Sequence, residues 1–156
     1  MKHHFLSLTL LILSLTACHD RDKKPSIFQV FEGNFLAQDT AVQRAIVWDS
    51  QFSNHLEILP PVANGIKKIS LDLIPEQAIE VYNQDTTTLM LLSIEAGDSY
   101  KVSINQKGEF TWSDGTYIAP LSITGFVIGD SIRFSAIRFN GFSGEYSGNN
   151  YLGVRE

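Results

Sequence analysis

From Ser26 onward the chain alternates apolar and polar residues with a period of two, in stretches broken at short intervals by turn-forming residues. A period of two puts the apolar side chains on one face of an extended strand and the polar ones on the other; a helix would scatter them around its surface. The clearest stretches are Ile69, Leu71 and Leu73; Tyr100, Val102 and Ile104; and Ile132, Phe134 and Ala136. Between such runs stand Asn105-Gln106-Lys107-Gly108, Ser113-Asp114-Gly115-Thr116, Gly129-Asp130 and Ser147-Gly148-Asn149-Asn150, residues that accept positive φ or close local side-chain turns. Strands joined by turns this short are antiparallel neighbours. The expected fold is all-β: a small antiparallel β-barrel or sandwich with at most one short helix, formed by one domain over residues 26–156. About 130 residues suffice for a single core.

Residues 27–38 read as a strand whose phase slips between Val30 and Phe31, which predicts a bulge near Gly33. Residues 40–52 support two readings. Thr40 with Gln43 fits a capping box, and Ala41, Ala45, Trp48 and Phe52 form a helical stripe, but Arg44 to Trp48 reads equally as a strand. Gly97-Asp98-Ser99-Tyr100-Lys101-Val102-Ser103 matches Gly129-Asp130-Ser131-Ile132-Arg133-Phe134-Ser135. A duplicated binding hairpin would produce this match, and so would a turn-then-strand pattern that recurs for physical reasons, the preferred account.

Ten of the 17 aromatic residues and eight of the 11 glycines lie from Tyr100 to the end. Alternation puts Phe142, Gly144, Tyr146 and Gly148 on one face, where rings could pack over glycines in a curved sheet or floor a concave site for an apolar or sugar ligand; core packing is the expectation. Trp112 and Tyr117 flank the Ser113–Thr116 turn and are the aromatics expected at a rim, as a candidate contact surface.

The first seventeen residues form a leader: Lys2 in a short polar start, then a weakly polar run from Phe5 to Ala17. A helix crossing about 30 Å of hydrocarbon needs roughly twenty apolar residues, more than this run supplies, so residues 1–17 read as a secretion signal and not as an anchor. The leader ends in Leu15-Thr16-Ala17-Cys18, which resembles the lipobox of bacterial lipoproteins. That resemblance implies cleavage before Cys18, lipid attachment at Cys18 and membrane association through the acyl chains. His19 stands where Asp would favour retention in the inner membrane, so the resemblance implies an outer-membrane destination with the domain facing the periplasm. Residues 18–25 then read as the acylated cysteine and a charged, solvated tether.

Cys18 is the only cysteine, which excludes a disulfide framework and a cysteine-based zinc site. From residue 25 the chain carries 8 basic and 15 acidic side chains, a net of −7, so it would gain little from phosphate backbones and nucleic acid is not an expected partner. Beyond the tether only His55 could serve as a general base, without a nucleophile elbow, and it reads as a surface residue. Glu76 and Glu80 read as solvated carboxylates beside Pro75. No phosphate loop, dinucleotide fingerprint or calcium loop is present, so neither catalysis, nor a metal, nor a cofactor is expected.

Leu59-Pro60-Pro61-Val62-Ala63-Asn64-Gly65-Ile66, running into Ile69-Ser70-Leu71-Asp72-Leu73, resembles the loop-to-strand segment of NlpE-like envelope-stress lipoproteins, which form small β-barrels. Both cysteines of that family's pattern are missing, so its redox or copper role does not carry over. The expected function is a lipid-anchored, non-catalytic binding or interaction module with an envelope protein as partner. The alternatives are a carrier of a small apolar ligand and an inhibitor or immunity protein against a periplasmic hydrolase or toxin.

Overall fold

The computed structural model describes residues 27–47, 55–74, 80–82 and 85–156. Its strands are β1 (Gly33–Val47), β2 (His55–Ile58), β3 (Val62–Leu73), β4 (Glu80–Tyr82), β5 (Asp85–Ile94), β6 (Ser99–Asn105), β7 (Glu109–Ser113), β8 (Leu121–Ile128), β9 (Ser131–Asn140) and β10 (Glu145–Arg155). Eight of them pair antiparallel in the order β1-β3-β5-β6-β7-β8-β9-β10. β10 then pairs back onto β1, from Phe35 opposite Arg155 to Arg44 opposite Tyr146, and the sheet closes. The fold is therefore a closed antiparallel β-barrel, not a sandwich, and closure leaves the eight strands no free edge. β2 pairs with the upper end of β1 and β4 with the start of β5, as excursions at opposite ends of the barrel.

The alternating runs point where their pattern requires. Ile69, Leu71, Val102, Ile104, Ile132 and Phe134 are buried inside, with Leu73, Tyr100 and Ala136 packed against them. An eight-stranded barrel leaves a bore that side chains can fill. Phe35, Met90, Leu92 and Phe110 complete the filling. Gly125 lies inward on β8, and a Cβ there would run into the Cβ of Phe134 and the ring of Phe110. The rings of Phe110 and Phe134, 6.0 Å apart, thus pack over a bare stretch of backbone, the arrangement expected for a curved sheet, though it falls at Gly125 and not at residues 142–148.

One end of the barrel is sealed. Residues 27–32 are not a strand but a turn with a single 3-10 turn at Gln29–Phe31, and they carry Phe28, fully buried, across the opening. The slip of phase at Val30–Phe31 marks this turn, so the bulge predicted near Gly33 is absent there. The register shift of β1 against β3 lies at Asp39–Thr40, where Asn64 is the extra residue. Arg155, inward on the last strand, donates to the carbonyls of Glu32 (2.6 Å) and Val30 (3.1 Å) and lies over the Phe35 ring, 5.2 Å from its centre. The first and last segments of the domain are clamped together at this closed end.

Residues 40–47 belong to β1, which decides the helix-or-strand choice for that part in favour of strand; residues 48–52 lie outside the described residues. Ser147-Gly148-Asn149-Asn150 is not a turn but the middle of β10, and a side chain on Gly148 would collide with the carbonyl of Ala136. The chain instead turns at residues 141–144, so Phe142 and Gly144 leave the strand before alternation begins. Tyr146 is on the outer face, 41% exposed, its ring 4.7 Å from that of Phe139. Core packing of the 142–148 aromatics is therefore not what the chain adopts. The two Gly-Asp-Ser segments enter β6 and β9, which run in opposite directions, so one turn lies at the open end and the other at the closed end. They do not form one duplicated surface.

Candidate functional site

Among the described residues no segment folds across the opposite end as residues 27–32 do across the closed one, and the inner face there changes from apolar to polar and aromatic. Asp39 points inward from β1 and is 3% exposed. Its Oδ1 accepts from Asn149 Nδ2 on β10 at 2.7 Å and from Asn64 Nδ2, the bulge residue of β3, at 3.4 Å. Tyr151 stands directly opposite Asp39 and stacks on Phe134, with centroids 4.4 Å apart and planes 16° from parallel. Burial and then the Asp39 charge push the Tyr151 hydroxyl above the ordinary tyrosine range, with a partly opposing hydrogen bond from Asn149.

Across the mouth, Tyr100 on β6 packs against Trp112 on β7, 4.9 Å between ring centres at 57°. The Tyr100 hydroxyl donates to Asp98 at 3.3 Å. Burial, followed by the Asp98 charge and that hydrogen bond, raises its pKa, against a smaller opposing pull from Arg138.

Above this floor stand two loops held to each other. In residues 114–120, Asp114 Oδ1 accepts from the Thr116 amide (3.0 Å) and hydroxyl (2.9 Å), and these bonds hold its carboxyl below the usual carboxylate range. Arg138 Nη1 reaches the Ala119 carbonyl at 2.9 Å and lies 3.9 Å from Asp114. The Gly141 amide, in the β9–β10 turn, donates to Ile118 O at 2.7 Å, and the Phe139 amide to Pro120 O at 3.0 Å. Within the turn, Asn140 Oδ1 accepts from the Phe142 amide at 3.0 Å. Both loops are thus fixed in backbone, yet they display apolar side chains: Tyr117 is 98% exposed, Phe142 85% and Ile118 50%.

Of the residues nominated from sequence, Tyr117 is on the rim and fully presented to solvent. Trp112 is half-buried, facing into the mouth against Tyr100, so it supports the floor and the two do not form one patch. Cys18, Glu76 and the leader lie outside the described residues; His55 opens β2, and Glu80 opens β4 at the far end. Phe142 and Ile118 were not nominated. Asn140 and two glycines, Gly141 and Gly144, around Phe142 are the turn signal that marks it as displayed. Among the described residues no group of three or more His, Cys, Asp or Glu could hold a metal ion. A broad depression of about 460 Å³ lies outside the barrel over β7 to β9, between Glu109, Thr111, Thr124, Arg133 and Ser135, open to solvent and polar along its edges. Comparison with protein-family models, with curated proteins and with solved structures gives no match for this chain.

Proposed function

We propose that this chain is a lipid-anchored outer-membrane lipoprotein, held by acyl chains on Cys18 and facing the periplasm. Its barrel is a non-catalytic interaction module that grips an envelope protein with its open rim. The observation that carries the reading is the patch of Tyr117, Ile118 and Phe142 on two loops bonded to each other. Loops with no packing role are normally polar, and exposed aromatic clusters on fixed backbone are what partner surfaces are made of. The pinned backbone also spares a partner the entropy of ordering the loops.

The carrier alternative needs an apolar cavity of at least about 300 Å³, whereas Met90, Leu92, Phe110 and Phe134 occupy the bore. The inhibitor alternative needs a protruding acid, and the described acids at this end are engaged locally: Asp114 by Thr116 and Arg138, Asp98 by the Tyr100 hydroxyl and Glu145 by the Ser143 hydroxyl.

The test is photocrosslinking in intact cells from the acylated protein, with the crosslinker replacing Tyr117 and, as control, Thr124 on the outer wall. A discrete adduct from position 117 alone is expected, and the paired change Tyr117→Ser, Phe142→Ser should weaken capture by roughly tenfold or more without moving the urea midpoint. No adduct at 117, or the same adduct from both positions, refutes the rim. Cys18→Ser should leave an uncleaved precursor; normal processing and release of that variant refutes the anchor.

A further inference from the structure

The outer wall near the closed end carries apolar residues where strict alternation would place polar ones, as β5 also does at Leu89 and Leu91. β10 reads Tyr151-Leu152-Gly153-Val154, β1 reads Phe35-Leu36-Ala37 and β8 ends in Val127-Ile128, apolar on both faces. Strands apolar on both faces are normally covered on both. Here the outward residues Leu36, Ile128, Leu152 and Val154 are 39–65% exposed. They adjoin: Leu36 is paired with Val154, Val154 with Ser131, and Ser131 with Ile128, while Leu152 follows on the same face. Arg155 donates to Val30 O and to Gly129 O, which brings exposed Val30 beside the turn that follows Ile128, and exposed Ile27 precedes it in the chain.

From this arrangement we infer that the closed end and the outer wall of β1, β8 and β10 form a lipid-docking surface, resting on the bilayer that holds the acyl chains. The inference rests on the lipoprotein reading of Cys18. Its support is where the chain leads: Cys18 lies nine residues before Ile27, and nine residues reach at most about 30 Å. An anchor on so short a leash keeps the closed end, and the patch beside it, at high effective concentration against the surface. A patch too weak to bind membranes alone is enough under that constraint.

Charge around the surface is mixed: Lys68 is paired with Leu36 and Arg133 with Leu152, while Glu95 Oε2 accepts from the Lys68 amide and Asp72 shares the outer face of β3, so apolar contact and the leash carry the placement. With this side down, the rim carrying Tyr117 and Phe142 points away from the bilayer.

The test uses the acylated mature protein in phosphatidylcholine vesicles, with and without nitroxide-labelled lipid. Because the Cys18 thiol is consumed by lipid, Val154→Cys supplies one free thiol for a fluorophore, and Tyr117→Cys is the comparison. A probe at 154 should settle within roughly 5–10 Å of the headgroup boundary, quenched by nitroxide lipid and shielded from iodide, and the probe at 117 should behave oppositely. Adding Leu36→Ser and Leu152→Ser should return the probe at 154 to iodide with an unchanged urea midpoint. Vesicle-bound, acylated protein whose probe at 154 is as open to iodide as that at 117 overturns the docking surface alone. Protein that carries no acyl chains overturns the anchor reading and this inference with it. Shielding at 154 that persists in detergent, with the unlabelled Val154→Cys protein oxidising to disulfide-linked dimers through that position, assigns the patch to a second copy and likewise overturns lipid docking.

Discussion

Replacing Arg155 with alanine should open the closed end. The guanidinium joins the last strand to the segment that seals the barrel, donating to Glu32 O at 2.6 Å and Val30 O at 3.1 Å, with a third, longer contact to Gly129 O at 3.4 Å. A hydrogen bond from a charged donor contributes about 1.5–3 kcal/mol, and here the two short ones carry the effect. The Asp130 contact adds little, because that carboxylate is 88% exposed and sits 3.7 Å away. Covering the Phe35 ring adds a further ~1 kcal/mol at this partly desolvated site. Allowing for water that reaches the freed carbonyls, the expected loss is about 3–4 kcal/mol, a large share of the 5–15 kcal/mol typical of a domain. A urea titration should show the midpoint falling by about 1–4 M at the usual slopes of about 1–3 kcal/mol/M. Hydrogen exchange should quicken first at the amides of Phe31 and Glu32, which bond back to Phe28 O and Gln29 O. Arg155→Lys should recover less than half, since an ammonium cannot serve both carbonyls with the same fork. A loss under about 1 kcal/mol, or unchanged exchange at Phe31 and Glu32, would refute the clamp.

Tyr146→Ala should cost under about 1 kcal/mol, because the ring is on the outer face against Phe139; a urea titration showing a loss of 3 kcal/mol or more would put the ring back in the core. Asp39→Ala should cost about 2–4 kcal/mol by leaving the amides of Asn149 and Asn64 without their shared acceptor, read by urea midpoint and by exchange at those two residues. Tyr100 and Tyr151 both have hydroxyls whose pKa is raised in the folded state above the ordinary 10.0, so the stability they contribute is fully present below pH 10 and is lost as pH rises from there through the folded values. Urea midpoints measured across that alkaline window should fall less steeply in Tyr100→Phe and Tyr151→Phe than in the parent, and equal slopes would refute the linkage.

What could be read from the sequence was whatever depends on neighbours along the strand. Ile69, Leu71, Val102, Ile104, Ile132 and Phe134 face inward because a period of two leaves them no alternative. The turn at Asn105–Gly108 forms because Asn105 Oδ1 caps the amides of Lys107 and Glu109 while Gly108 takes φ of +82°. What could not be read depends on strands remote in the chain. Ser147-Gly148-Asn149-Asn150 has turn composition, but its glycine is needed where the backbone meets Ala136 and its Asn149 is needed by Asp39, 110 residues away. The Val30–Phe31 slip similarly looks like a bulge until Phe28 is given a barrel end to close. At the rim, Tyr117 was legible from its flanking turn, whereas Trp112 has the same local setting and turns inward, where it packs on Tyr100 of the adjacent strand β6.

The two ends of the barrel are therefore built on different principles, and the division follows from chain direction. β1 leaves the closed end and β10 returns to it, so the leash toward Cys18 and the C-terminus share one end, together with Phe28, Arg155 and the apolar wall. The connection between β7 and β8 at the other end is free of that constraint and can carry side chains with no packing role. The seam between β1 and β10 must hold these ends in register, though it joins the first and last strands of the domain. Asp39 fixes it from within: a carboxylate that accepts from Asn149 on one neighbour and from Asn64 on the other is satisfied only when both strands are in register, and a slip of one residue would turn it out of the bore. A buried polar group of this kind specifies a pairing more than it stabilises one. It lies mid-seam, between Phe35 opposite Arg155 and Arg44 opposite Tyr146, so one buried group holds the pairing both above and below it.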